Sequence, residues 1–130
     1  MKVFVTIKQK NLTTSEEQTL CESVCEMTQT KESFEFTYHE EKPYDGTVKI
    51  SGNSFSCQIH RTAENISILK FSSQQKTKGR IQSAYGEFEV DIYTHVYHKK
   101  ENILAIEYDI LNGSEVLEKF RMMAKFKKLV

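Results

Sequence analysis

Gly86-Glu87-Phe88-Glu89-Val90-Asp91-Ile92-Tyr93-Thr94-His95-Val96-Tyr97 is the longest run of strict alternation in the chain. Phe88, Val90, Ile92, Thr94 and Val96 fall on one side of an extended strand. Glu87, Glu89, Asp91, Tyr93, His95 and Tyr97 fall on the other, because successive strand side chains point to opposite faces. A helix would scatter both sets around its axis. The run therefore reads as a strand with one face in a core and one face in water.

The same period of two recurs outward from this stretch in both directions. Toward the N-terminus it is carried by Val3, Val5 and Ile7, by Phe34, Phe36 and Tyr38, by Val48 and Ile50, by Phe55, Cys57 and Ile59, and by Ile66 and Ile68. Toward the C-terminus it continues through Leu104, Ile106, Tyr108 and Ile110, then Val116, Glu118, Phe120, Met122, Ala124 and Phe126. About eight to ten amphipathic strands cannot bury their apolar faces singly. They need a second layer or must close on themselves, and closure also removes exposed edges. The expected fold is all-β, a single antiparallel meander closing into a barrel over residues 1–130.

Turn chemistry fixes an expected register. Gly52-Asn53 as a two-residue loop sets Ile50 opposite Phe55 and Val48 opposite Cys57. The Lys99-Lys100-Glu101 loop sets Val96 opposite Leu104 and Ile92 opposite Tyr108. Arg61–Glu64 serves as a four-residue connection. A two-residue turn at Asn112-Gly113 would set Ile106 opposite Lys119 and mix core with solvent, so an odd loop with a bulged Gly113 is expected there. Ser72–Gly79 is polar and reads as a loop or strand ends. Ser15 to Met27 fits a capped helix through Leu20, Val24 and Met27, and equally a strand through Cys21, Ser23, Cys25 and Met27.

Composition narrows the function classes. The 130 residues carry 18 Lys plus Arg and 18 Asp plus Glu, a formal balance of zero. That argues against non-specific nucleic-acid binding, which depends on phosphate neutralisation. Charge is uneven: residues 31–45 hold two Lys and five acids, and residues 115–130 hold five basic and two acidic side chains. The simple reading of both is solvated strand face. No apolar window reaches the length of a membrane helix, and MKVFVTIKQK is too short in apolar residues for a signal peptide. A cytoplasmic location is expected, with Cys21, Cys25 and Cys57 as free thiols.

Chemistry-bearing patterns are sparse. His95 and His98 are three apart on a strand and make a poor metal pair. The three cysteines with His60 lack the paired spacing of a zinc site. There is no phosphate loop and no HExxH motif. Glu87, Glu89 and Asp91 should solubilise an outer face. No catalytic residue, metal or cofactor is implied, and no two residues have the spacing that acid–base work requires.

From Ser83 to Thr94 the chain resembles the YwiB-like family, a domain of unknown function (DUF1934) of Gram-positive bacteria. Tyr85, Gly86 and Thr94 keep its signature, with Ala84 where a Pro is usual. Tyr38-His39-Glu40-Glu41, Gly46-Thr47-Val48-Lys49-Ile50, Ile59-His60-Arg61 and Leu104-Ala105-Ile106-Glu107-Tyr108 resemble its other elements in order and spacing. The resemblance covers most of residues 2–128. It implies a calycin- or lipocalin-like β-barrel, and a strand rather than a helix over residues 15–27. It carries no catalytic or ligand residues.

Two functions remain. In the first, a small apolar or amphipathic ligand sits in the barrel, with Arg61, Glu40, Tyr85 and Thr94 as polar groups at its mouth. Six Phe expected to point inward (Phe34, Phe36, Phe55, Phe88, Phe120 and Phe126) favour a largely filled lumen. In the second, the barrel is a homodimeric or protein-interaction module, with Tyr93, His95 and Tyr97 as an outer aromatic–imidazole stripe. Neither a nucleic acid nor a membrane is an expected partner.

Overall fold

The computed structural model describes residues 1–40 and 45–129. Its strands are β1 (Lys2–Asn11), β2 (Glu17–Gln29), β3 (Phe34–Glu40), β4 (Gly46–Gly52), β5 (Ser56–Thr62), β6 (Ile66–Ser72), β7 (Lys76–Ser83), β8 (Gly86–Lys100), β9 (Ile103–Asn112) and β10 (Glu115–Lys128). Every neighbour in sequence is a neighbour in space, and all pairs are antiparallel. The meander closes because β1 pairs on one side with β2 and on the other with β10, Val3 lying opposite both Cys25 and Lys128. Among the described residues no helix is long and apolar enough to cross a membrane.

Alternation predicts the inner face well where strands run without interruption. Val3, Val5 and Ile7 of β1, Phe34, Phe36 and Tyr38 of β3, and Leu104, Ile106 and Tyr108 of β9 are all buried. Residues 15–27 lie almost wholly in strand β2, which buries Cys21, Cys25 and Met27. Aromatic edges lock the interior: Phe36 meets Phe126 at 5.2 Å between ring centres, and Phe71 meets Tyr108 at 4.6 Å. Such pairs add to what burial alone contributes.

The expected registers fail in an instructive way. Ile50 faces Ile59, not Phe55, and Val48 faces Arg61. The side chain of Asn53 accepts hydrogen bonds from the backbone of Phe55 (2.8 Å) and Ser56 (2.9 Å). This Asx turn spends Phe55 in the loop, where it is 73% exposed, instead of in the strand. The shift is an even number of residues, so the core face survives it.

In the next connection Thr62 pairs with Ile66, a three-residue loop rather than four. The phase of β6 is therefore opposite to expectation: Leu69 and Phe71 turn inward, while Ile66 and Ile68 turn outward. Ser72–Gly79 holds the end of β6 and the first four residues of β7, joined by the turn at Ser73–Gln75, in keeping with the expected strand ends.

Two bulges do the work that odd loops were expected to do. In β8 the register shifts between Thr94 and Val96, where His95 is the extra residue. Beyond it Tyr97 faces Ile106 and Lys99 faces Leu104, so Tyr97 and Lys99 point inward and Val96 points out. In β10 the turn has two residues, with Gly113 at a φ of 64°, a conformation glycine adopts without steric cost. The parity change predicted for this hairpin is real. It comes from a bulge between Val116 and Glu118, which brings Phe120 opposite Tyr108 and Ala124 opposite Leu104.

Candidate functional site

The inner face differs at the two ends of the barrel. At the end where β1, β3, β5 and β9 begin, the inward side chains Val3, Met27, Phe34, Cys57, Leu104 and Phe126 are all buried. Lys99 closes this end. Its ammonium lies 5.0 Å from the Phe34 ring centre and 5.6 Å from that of Phe126, and donates to Gln29 Oε1 at 3.3 Å and to the Lys100 carbonyl. Burial depresses its pKa. Beside it the Tyr97 hydroxyl donates to the carbonyls of Asn53 (2.8 Å) and Ser56 (3.0 Å), tying the β4–β5 loop down. Burial drives the Tyr97 and Cys57 acids upward, the Cys57 thiol to about 12.

At the opposite end the inner face stays open. Leu69 of β6, Val90 of β8, Ile110 of β9 and Phe120 of β10 are packed against the core and yet only partly buried. Phe88 is 52% exposed although its register with Ile81 sets it on the inner face. Gly86 to Val90 pair with β7 alone, because the β9 partner begins at Asp91. The floor of this region is Gly79. A Cβ there would lie 2.8 Å from Leu69 Cδ2, 3.0 Å from Val90 Cγ2 and 3.1 Å from Ile92 Cδ1, so only glycine lets these three side chains converge. A cleft of about 520 Å³ lies at the same end, lined by Gln9, Asn11, Phe120 and the β1–β2 connection.

An ion pair between a half-buried guanidinium and a buried carboxylate sits at this open end. Glu40 follows Phe34, Phe36 and Tyr38 on the inward face of β3 and is 2% exposed. Arg61, inward on β5, donates to Glu40 Oε1 from Nη2 (2.7 Å) and Nε (3.1 Å). The Tyr38 hydroxyl donates to the same oxygen at 3.4 Å. Burial disfavours the Arg61 cation, but the Glu40 carboxylate more than offsets this and holds its pKa above the ordinary value. Burial raises the pKa of Tyr38 and of Tyr108, and the Arg61 charge acts against both rises. The Tyr108 hydroxyl donates to Gln9 Oε1 at 3.3 Å. Among the described residues three buried side-chain oxygens lack a hydrogen bond: Glu40 Oε2 and Thr94 Oγ1 inside the barrel, and Asp91 Oδ1, which lies 2.7 Å from Lys78 Nζ.

The structure brings together two of the four polar residues expected at the mouth. Arg61 and Glu40 meet. Thr94 is buried on the inner face opposite Tyr108 but bonds neither of them through its hydroxyl. Tyr85 is 93% exposed at the tip of the β7–β8 hairpin, so it does not line the mouth. The outer stripe also dissolves: Tyr97 points inward, while His95 Nε2 lies 2.8 Å from the buried Asp109 carboxylate and its ring packs edge-on to Tyr93 at 4.8 Å. Tyr38, Tyr108 and Gln9 were missed as polar neighbours. The signal for Tyr38 was present, since it shares the inward parity of Glu40.

With this geometry in hand, the family description "domain of unknown function (DUF1934)" matches residues 4–123. The chain belongs to the DUF1934 family. The fold of this DUF1934 domain is also that of a solved relative, the YwiB protein from Bacillus subtilis. The TM-score is 0.79 at 12% sequence identity, covering 99% of this chain and 92% of that one. At that identity the likeness speaks for the fold. No curated protein matches the chain.

Proposed function

We propose that the DUF1934 domain binds a small apolar or amphipathic ligand at the open end of its barrel. The observation that carries this reading is the contrast in burial along one inner face. Leu69, Val90, Ile110 and Phe120 are left partly uncovered toward the end that holds the Arg61–Glu40 pair, while the inward side chains of the other end are buried. Ligand sites are commonly apolar concavities with a few convergent polar groups that fix orientation. Filling this end would remove apolar surface from water at roughly 25 cal/mol per Å². The reading places the ligand at the mouth, because Phe36, Phe71 and Tyr108 already occupy the middle of the barrel.

The test uses N-phenyl-1-naphthylamine, an uncharged apolar probe whose fluorescence rises out of water, together with native mass spectrometry of protein purified from its own host. Saturable probe binding that is lost in Val90→Arg, with the fold retained by circular dichroism, supports the reading. An unliganded native mass and no saturable probe signal would refute it.

A homodimer is the second reading, and one observation favours it at a new location. Tyr85, Phe88, Val116 and Leu117 are exposed on the tips of the β7–β8 and β9–β10 hairpins. Light scattering that shows a concentration-dependent dimer, abolished by Leu117→Lys, would support it over ligand binding.

A further inference from the structure

We infer that the cleft between the β1–β2 connection and β10 is a binding site for a neutral sugar. Sugar binding there needs no apolar ligand at the mouth, and the two sites stand or fall separately.

Gln9 and Asn11 follow Val5 and Ile7 on the inward parity of β1. They line a cleft of about 520 Å³ together with Glu16, Glu17, Gln18 and Phe120. Both amides have their oxygens engaged by the protein. Gln9 Oε1 accepts from the Tyr108 hydroxyl at 3.3 Å. Asn11 Oδ1 accepts from the backbone N–H groups of Thr13 (2.9 Å) and Thr14 (3.2 Å). The amide nitrogens are the ends left free among the described residues, with two N–H donors apiece. Asn11 also holds the connection through its backbone. Its N–H donates to the Glu16 carbonyl and its carbonyl accepts from Ser15, both at 2.8 Å. The wall is thus formed before a ligand arrives, which lowers the ordering cost of binding.

The same cleft carries acceptors, the exposed carboxylates of Glu16 and Glu17, the second of them 3.9 Å from Lys8 Nζ. An anion brings acceptors only and meets these two charges. A cation brings donors only and leaves the Gln9 and Asn11 nitrogens without an acceptor. Sugar hydroxyls do both: they accept from an amide N–H and give a proton to a carboxylate. Phe120 supplies the remaining wall. Its ring centre lies 5.5 Å from that of Tyr108, and the side chain is only partly buried. The C–H face of a sugar ring suits the negative face of an aromatic ring. A nucleobase also carries donors and acceptors, but Phe120 is the one ring lining the cleft among the described residues and covers a single side.

The experiment titrates nitrogen-15-labelled protein with the methyl glycosides of glucose, galactose, mannose, N-acetylglucosamine and ribose, and with adenine as the flat control. Concentrations run to about 50 mM, past the range of a millimolar site. At least one glycoside is expected to shift the amide signals of residues 9–18 and 120 saturably, and more tightly than adenine. Gln9→Glu and Asn11→Asp each keep the oxygen that Tyr108 or the turn uses and replace the donor nitrogen by a second oxygen. Each should weaken that glycoside at least about tenfold, as the loss of one hydrogen bond implies. The inference is overturned if no glycoside saturates these signals, if adenine binds as tightly as the best glycoside, or if either folded variant keeps the wild-type affinity. Where a variant does not fold, the other variant and the wild-type series decide.

Discussion

The two ends of the barrel are built from the same ten strands and the same alternating pattern, yet one is sealed and the other is open. At the sealed end the inward positions carry Phe34, Phe126, Leu104 and Met27, and the aliphatic stem of Lys99 reaches across them with its ammonium over two rings. At the open end the corresponding positions carry Ser67, Ile81, Gly79 and the Arg61–Glu40 pair. Here the β7–β8 hairpin also outruns its β9 neighbour. Packing partners and strand length make the difference: at one end large side chains meet across the lumen, while at the other Ser67 and Gly79 and a projecting hairpin leave Phe88 without a covering neighbour.

The largest effect should come from opening the sealed end. Phe126→Ala removes the ring that meets Phe36 edge-on and lies under Lys99. It should cost about 3–5 kcal/mol in urea unfolding, as for other buried Phe truncations. A loss under about 1 kcal/mol would mean that this end is not the packed half of the molecule.

Alkaline pH should act on the same interior. Burial raises the Cys57 thiol to about 12 and Cys21 to about 11. Both are acids whose folded pKa lies above the unfolded value, so the folded state holds their protons longer. Their effect on stability is flat below the unfolded thiol pKa of about 8.5 and becomes a loss as pH rises through 11 and 12. The thermal midpoint should hold between pH 7 and 8 and fall steadily above about pH 9. Iodoacetamide should label neither thiol in the folded protein near pH 8, because the thiolate is the nucleophile.

A smaller effect is expected at the tie between β8 and the β4–β5 loop. Tyr97→Phe removes the donor that serves the Asn53 and Ser56 carbonyls and should cost about 1–2 kcal/mol. No change would mean that the loop is capped without it. The smallest effect belongs to the open end and its loops. Phe88→Ser and Phe55→Ser should each stay within about 0.5 kcal/mol of wild type, since both rings are largely exposed. Phe88→Ser should still weaken probe binding and Phe55→Ser should not.

Alternation made the strand identity and the closed all-β architecture legible, because period two is a local property that survives any even slip of register. The same local rule misplaced Phe55, Ile66 and Ile68. A turn defines register only through its own hydrogen bonds, and the Asn53 side chain selected a longer loop than Gly52-Asn53 suggested. At the candidate site, Arg61 and Glu40 could be named from the chain, and their partnership 21 residues apart was realised. Tyr97 could not be placed, since the bulge at His95 that turns it inward is stabilised by a contact with Asp109, fourteen residues away.

The amino-acid sequence by itself determined which segments are extended, which face of each uninterrupted strand is apolar, and that so many half-buried strands must close. Tertiary structure alone decided where the bulges fall, which ends of the strands overhang, and therefore which mouth of the barrel stays open. Periodicity is written residue by residue, whereas a bulge or an overhang is a mismatch between two strands and exists only once both are in place.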